Sequence, residues 1–159
     1  ISEDKDQAEK FLDELSKVYR YLLRNNEDGL STVDQETAFI RSYARLLQTR
    51  HGDGFKLDME IDPAYRDRKL PSLTLQLLVE NAVKHNIISK QQPVHVRISS
   101  DPQGRLIIVN NLRKKARSGV DSTGIGLANI REKYRLLHRE DMLVEETDET
   151  FKVTIPLLS

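Results

Sequence analysis

The chain has 159 residues, of which 38% are hydrophobic and 31% are charged, as expected for one globular domain or a domain with an appendage. Lys and Arg together number 25, as do Asp and Glu, so the net charge of zero gives no electrostatic basis for binding nucleic acid. The absence of cysteine excludes disulfides and thiolate chemistry, and no apolar run reaches the roughly 20 residues of a membrane span. Because the first residue is isoleucine, we expect the chain to be an excised part of a longer protein.

Two helices are predicted in the first third of the chain. Apolar residues recur at alternating three- and four-residue spacing over residues 3–24, which predicts a helix with a bundle seam. Thr32 followed by Gln35 is a capping-box signature that predicts the start of a second helix. We therefore expect an antiparallel helical hairpin over residues 1–53. Its seam is too long for one hairpin to bury, so we expect it to pair with a second copy as a four-helix bundle.

The remainder, residues 54–159, is predicted to form an α/β layer. Helices are expected from residue 72 to about 87 and from about 125 to 138. A basic loop at residues 111–121 precedes the second of them. Alternating apolar residues predict strands at 55–61 and 94–98, a turn at 101–104 leads into a third strand at 105–110, and residues 142–146 and 151–157 are predicted to close the chain as a hairpin. The fold class is thus α+β: a two-layer sandwich in which a mixed, mostly antiparallel sheet carries helices on one face.

The first of these later helices places Asn81 among apolar residues. Its amide oxygen suits Mg²⁺, and Lys84, one turn further on, is placed to meet a phosphate. The structural alternatives are a hydrogen bond from Asn81 to a neighbouring loop and a solvated Lys84. For Glu80 there are likewise two alternatives. It either orients the metal or a water, or it forms an ion pair along the helix. His85 is equally placed to be a ligand or a C-terminal cap.

Gly124 and Gly126 flank Ile125 and precede an apolar stripe that begins at Leu127. Glycines before a helix let backbone N–H groups approach an anion, and the helix N-terminus adds a favourable partial charge. A tight turn without a ligand fits the same pattern. The glycines therefore indicate a nucleotide site only in combination with the helix that carries Asn81.

Together, ENAVKHN (residues 80–86) and TGIGLANIREKY (residues 123–134) resemble the N box and G box of sensor histidine kinases of the LytS type. DELSKVYRYLL (residues 13–23) resembles the dimerisation region of the same branch. The resemblance implies the Bergerat ATP-binding fold, ATP and Mg²⁺ as cofactors, a homodimer and a response regulator as partner. It also implies a cytoplasmic fragment of a protein anchored in a bacterial inner or plasma membrane.

The resemblance assigns roles to individual residues. Asn81 would hold Mg²⁺ and, with Glu80, would be catalytic, while Lys84 and His85 would lie near the phosphates or the ribose. A lid over residues 112–123 would cover the triphosphate. The other residues that it implies for nucleotide binding are Asn110, Gly124, Ile125, Gly126, Leu127 and Thr150.

Two features depart from the family. Asn110 stands where the family has an aspartate that accepts a hydrogen bond from the adenine amino group, and a neutral amide oxygen accepts more weakly. The phosphoacceptor histidine of this branch lies in a PHFLFN-like segment, which this sequence lacks. We therefore expect the chain to bind nucleotide without phosphorylating itself.

Two other functions stay open. A gyrase- or Hsp90-type ATPase would need a glutamate one turn before the metal asparagine, where this chain has Leu77, which cannot act as a base. A non-catalytic, kinase-like dimerisation or signalling module is favoured by Asn110 in place of the adenine-binding aspartate.

Overall fold

The computed structural model describes residues 2–25, 29–84, 91–112, 122–139 and 141–159. Within these residues the α-helices are α1 (Ser2–Asn25), α2 (Val33–His51), α3 (Thr74–Lys84) and α4 (Ser122–Leu136). The strands are β1 (Leu30–Thr32), β2 (Phe55–Glu60), β3 (Lys69–Pro71), β4 (Val94–Ser100), β5 (Arg105–Asn111), β6 (Leu143–Glu146) and β7 (Thr150–Pro156).

The two N-terminal helices form where the sequence predicts them. The Gln35 N–H donates to Thr32 Oγ1 at 3.1 Å, and the Thr32 N–H donates to Gln35 Oε1 at 3.0 Å, so the capping box is complete. At the other end of α2, Gly52 has a φ of 58° and its N–H donates to the carbonyl of Gln48. α1 packs against α2, which confirms that the two helices are paired.

The main sheet has five strands in the order β2-β4-β5-β7-β6. β2 and β4 are parallel, and the other three pairings are antiparallel, which confirms the mixed, mostly antiparallel sheet. Along β4, buried Val94, Val96 and Ile98 alternate with more exposed residues, because successive side chains point to opposite faces. The buried face carries the helices, as predicted for this two-layer fold.

A second, two-stranded sheet was not predicted. β1 and β3 pair antiparallel, with Leu30 opposite Pro71 and Thr32 opposite Lys69. The Ser72 N–H extends the pairing by donating to the carbonyl of Gly29 at 2.9 Å. Each strand is only three residues long, so neither shows the alternation that identifies a strand in sequence. This small sheet joins the connection between α1 and α2 to the segment that leads into α3.

One hydrophobic core spans the predicted domain boundary at residue 53. Ile40, Ala44 and Leu47 of α2 belong to the same buried cluster as Leu75 and Val79 of α3. The division into 1–53 and 54–159 stays a prediction, but α2 packs as part of the second half. Within the described residues, none of the helices combines the length and apolar character that crossing a membrane requires.

Candidate nucleotide site

Asn81 is half-buried on α3, between core-facing residues. Leu78 and Ala82 on the same helix are buried, which orients α3 with one face against the core. The Nδ2 atom of Asn81 is buried and has no hydrogen-bond partner among the described residues. An unsatisfied buried donor costs about 1–3 kcal/mol. A bound group that accepts from this amide would therefore be stabilised at this position.

Glu80 adopts the structural alternative, an ion pair within its own helix. Lys84 Nζ lies 3.0 Å from Glu80 Oε1, and Gln76 Nε2 donates to Glu80 Oε2 at 3.4 Å. On α2, burial raises the pKa of the Tyr43 hydroxyl, and the negative charge of Glu80 raises it further. Glu80 thus lies where α3 faces α2.

Asn110 is buried near the end of β5, on the face that carries the helices. Its Nδ2 donates to the backbone carbonyl of Asn111 at 2.9 Å, which leaves Oδ1 as the atom available to accept from a ligand. Asn111 lies on the opposite face, because residues alternate along a strand. There its Oδ1 accepts from the His95 N–H and its Nδ2 donates to the carbonyl of Pro93.

The glycine motif lies inside α4 and not in a turn before it. α4 begins at Ser122, so Gly124, Ile125 and Gly126 fall within its first turns, and the predicted start near residue 125 is wrong. The first N–H groups of a helix lack partners within the helix. The N–H group of Gly124 is among these, whereas Gly126 is the fifth residue of α4, whose N–H bonds to the carbonyl four residues earlier in an α-helix. Leu127, the next residue, is half-buried and packs against the core.

Thr150 does not lie with Asn110. It opens β7 opposite Asn111, and residues paired across a ladder share one face of the sheet. Thr150 is therefore on the face away from Asn110, where its Oγ1 shares a 3.0 Å hydrogen bond with Thr147 Oγ1. Its part in nucleotide binding stays a prediction. His85 and most of the predicted lid (residues 113–121) lie outside the described residues.

Glu36 is a buried residue that the sequence analysis missed. Its side chain on α2 is only 2% exposed, and it accepts hydrogen bonds from the backbone N–H groups of Leu73 and Leu75 at the start of α3. Burial raises the pKa of the Glu36 carboxyl to about 7, against the lowering effect of these N–H groups. A buried glutamate in the first turn of a helix is indistinguishable in sequence from an ordinary N-terminal acidic residue.

Comparisons with known proteins find histidine kinases among both the sequence matches and the structures of similar fold. Residues 1–55 match the family model described as histidine kinase. The fold is similar to the histidine kinase domain of the Erythrobacter litoralis EL346 blue-light activated histidine kinase, with a TM-score of 0.54 at 15% identity over 92% of this chain and 75% of that one. The catalytic domain of the histidine kinase ThkA gives 0.53 at 15% identity over 82% of this chain and 99% of that one. The predicted resemblance to histidine kinases is thus confirmed.

One relative found by sequence is LytS itself, the type of sensor histidine kinase that the two boxes resemble. The chain is 29% identical to the sensor histidine kinase/phosphatase LytS of Staphylococcus aureus, in an alignment 140 residues long that covers 79% of this chain. It spans about a quarter of the length of that relative, 24%.

Proposed function

We propose that this chain is the ATP-binding catalytic portion of a two-component sensor histidine kinase. The observation that carries the proposal is the buried Nδ2 atom of Asn81 on α3, which has no hydrogen-bond partner in the described part of the chain and lies in the segment that resembles the N box. The similarity to LytS and to histidine kinase folds supports the same function. The proposed cofactors are ATP and Mg²⁺.

The residues present fit this ligand. An amide offers an oxygen that suits Mg²⁺ and a nitrogen that donates to a phosphate oxygen, and Asn81 has its nitrogen free of protein partners within the described chain. Bound Mg²⁺ would neutralise charge on the phosphates. The Lys84 side chain is over half exposed, so its ion pair with Glu80 contributes little to the stability of the fold. Replacing Glu80 by a phosphate as the partner of Lys84 would therefore cost little free energy. The first N–H groups of α4, which include that of Gly124, would bind phosphate oxygens.

The proposed reaction is transfer of the γ-phosphoryl group to a histidine outside residues 1–159, because no histidine here lies in the acceptor context. Glu80 is the carboxylate nearest Asn81 in sequence and is the proposed group that orients the acceptor. Leu77 is half-buried and packs against the core, so it offers no base for hydrolysis in the manner of a gyrase-type ATPase. We further propose a homodimer through α1 and α2, a response regulator as phosphoryl acceptor, and a cytoplasmic position in a membrane-anchored protein.

A binding titration tests the proposed function directly. ATP and ADP are titrated into the chain by calorimetry, with Mg²⁺ and with a chelator. We expect binding that strengthens with Mg²⁺, together with a rise in melting temperature, because a ligand bound only to the native state stabilises it. Absence of both effects at millimolar nucleotide would contradict the proposal.

Asn110 gives a second expected result. An Asn110→Asp variant should bind ADP about five- to tenfold more tightly, because a carboxylate accepts from the adenine amino group through a charge-assisted bond. The same variant should melt at a lower temperature without nucleotide, since it loses the bond to the Asn111 carbonyl and buries a charge.

The matched control is Asn111→Asp, the same change one residue away on the other face of β5. It should leave ADP affinity unchanged in calorimetric titrations. An Asn110→Asp variant with affinity equal to or weaker than the wild-type chain would show that this position does not bind adenine.

A non-catalytic signalling module is the second candidate. It is favoured by the same Asn110, whose donor is already used within β5. In that case the paired α1 and α2 would be the functional part, and the melting temperature would not respond to Mg²⁺ and ADP.

A further inference from the structure

The start of α3 lacks a cap of its own. The Leu77 N–H donates to the carbonyl of Leu73 at 3.0 Å, so Leu73 occupies the position that precedes the first turn. Leucine has no side-chain oxygen to accept from the free N–H groups of that turn. Leu73 also has a φ of 69°, in the left-handed region that costs a residue with a Cβ roughly 1 kcal/mol or more. Something outside α3 must hold this conformation.

Glu36 supplies the missing cap from another helix. Its Oε2 accepts from the Leu73 N–H at 3.0 Å, and its Oε1 accepts from the Leu75 N–H at 3.3 Å. The two oxygens of one carboxylate thus satisfy two orphan donors at the positive end of α3. Because Glu36 is almost completely buried, water cannot replace it without opening the interface between α2 and α3.

Two further contacts hold the same turn. Ser31 Oγ and Ser72 Oγ share a hydrogen bond of 2.7 Å, and the Ser72 N–H donates to the carbonyl of Gly29. Both partners belong to the connection between α1 and α2. The beginning of α3 is therefore bound to the helical hairpin through side chain and backbone together.

The helix that carries the glycine motif also faces Glu36. The positive charge of Lys133 on α4 acts on the Glu36 carboxylate, and the charge of Glu36 acts in turn on Tyr134. Tyr134 is fully buried and its hydroxyl donates to the carbonyl of Pro156 at 2.9 Å. Glu36 thus lies where α2, the start of α3 and α4 meet.

We propose that Glu36 is a positioning residue whose buried carboxylate caps α3 and thereby couples the position of Asn81 to the helical hairpin. The coupling to nucleotide rests on the proposed function. Asn81 is eight residues beyond Leu73, about 12 Å along a rigid helix. A change in how the hairpin holds the first turn therefore moves or loosens the whole helix, and Asn81 with it.

The test combines a spectroscopic and a binding measurement on the full 159-residue chain. In the wild-type chain, the backbone amide resonances of Leu73 and Leu75 should shift with pH around a midpoint near 7, as the carboxylate that accepts from them ionises. Lys133 and Tyr134 of α4 also face this carboxylate, and because burial raises the pKa of the Tyr134 hydroxyl, that hydroxyl stays neutral near this pH. Glu36→Gln should abolish this titration, speed hydrogen exchange of both amides and weaken ADP binding at pH 8 by about tenfold.

Thr37→Val is the matched control. Thr37 is the buried neighbour of Glu36, and its hydroxyl donates to the carbonyl of Asp34 within α2. This variant should keep the amide titration and the ADP affinity of the wild-type chain. Wild-type amides that do not titrate, or a Glu36→Gln variant with unchanged amide exchange and ADP affinity, would overturn the proposal. If the wild-type chain bound no nucleotide, the proposed function would fail. The amide measurements would still test whether Glu36 of α2 caps α3.

Discussion

An Asn81→Ala variant is expected to bind ATP in the presence of Mg²⁺ roughly a hundredfold more weakly than the wild-type chain. The change removes both the amide oxygen proposed to hold the metal and the buried nitrogen proposed to donate to a phosphate. Polar contacts to charged groups contribute about 1.5–3 kcal/mol each, and 1.4 kcal/mol corresponds to a tenfold change in affinity. Calorimetric titration with Mg²⁺ and with a chelator measures the loss.

The variant should not be destabilised in the absence of ligand. The Nδ2 atom of Asn81 has no hydrogen-bond partner within the described residues, so alanine removes an unsatisfied donor without breaking a hydrogen bond of that atom. Gln76→Ala is the control, because Gln76 is the other amide side chain on α3 and its Nε2 donates to Glu80 Oε2. Wild-type affinity in Asn81→Ala, or an equal loss in Gln76→Ala, would contradict the assignment of the metal site to Asn81.

The sequence predicted the elements whose signals are local. The capping box of Thr32 and Gln35 places the start of α2, because both partners lie within one turn of the chain. Alternation along 94–98 predicts β4, because that strand has one buried and one more exposed face, and the turn at 101–104 followed by an apolar run predicts β5. The resemblance of the two boxes to histidine kinases rests on short segments of this kind as well.

The features that sequence missed depend on contacts between distant segments. Glu36 caps α3 by accepting a hydrogen bond from Leu73, which lies 37 residues further along the chain. A pattern within a few neighbouring residues cannot predict such a hydrogen bond. β1 and β3 are held by each other, since neither is long enough to show periodicity. The start of α4 was placed too late because glycine usually interrupts helices. Within a first turn, however, glycine costs less than in the helix interior.

Removing residues 1–53 is expected to leave a chain that does not fold cooperatively. Although the sequence predicts a domain boundary at residue 53, Val33, Ile40 and Leu47 of α2 are buried in the core shared with α3 and the sheet. Burial of a large aliphatic side chain contributes about 2 kcal/mol, so losing three removes roughly 6 kcal/mol from a domain whose total stability is about 5–15 kcal/mol. Circular dichroism during thermal unfolding measures the outcome.

The comparison is with a chain of residues 29–159, which lacks α1 but keeps β1 and α2. This chain retains the pairing of Leu30 with Pro71, the core residues of α2 and the cap that Glu36 gives to α3, so it should unfold in one cooperative transition. If residues 54–159 folded as well as residues 29–159, α2 would be a dispensable appendage and could not transmit the position of the hairpin to α3. If only the longer chain folds, α2 belongs to the nucleotide-binding unit, and α1 alone is left as the helix that can move against it.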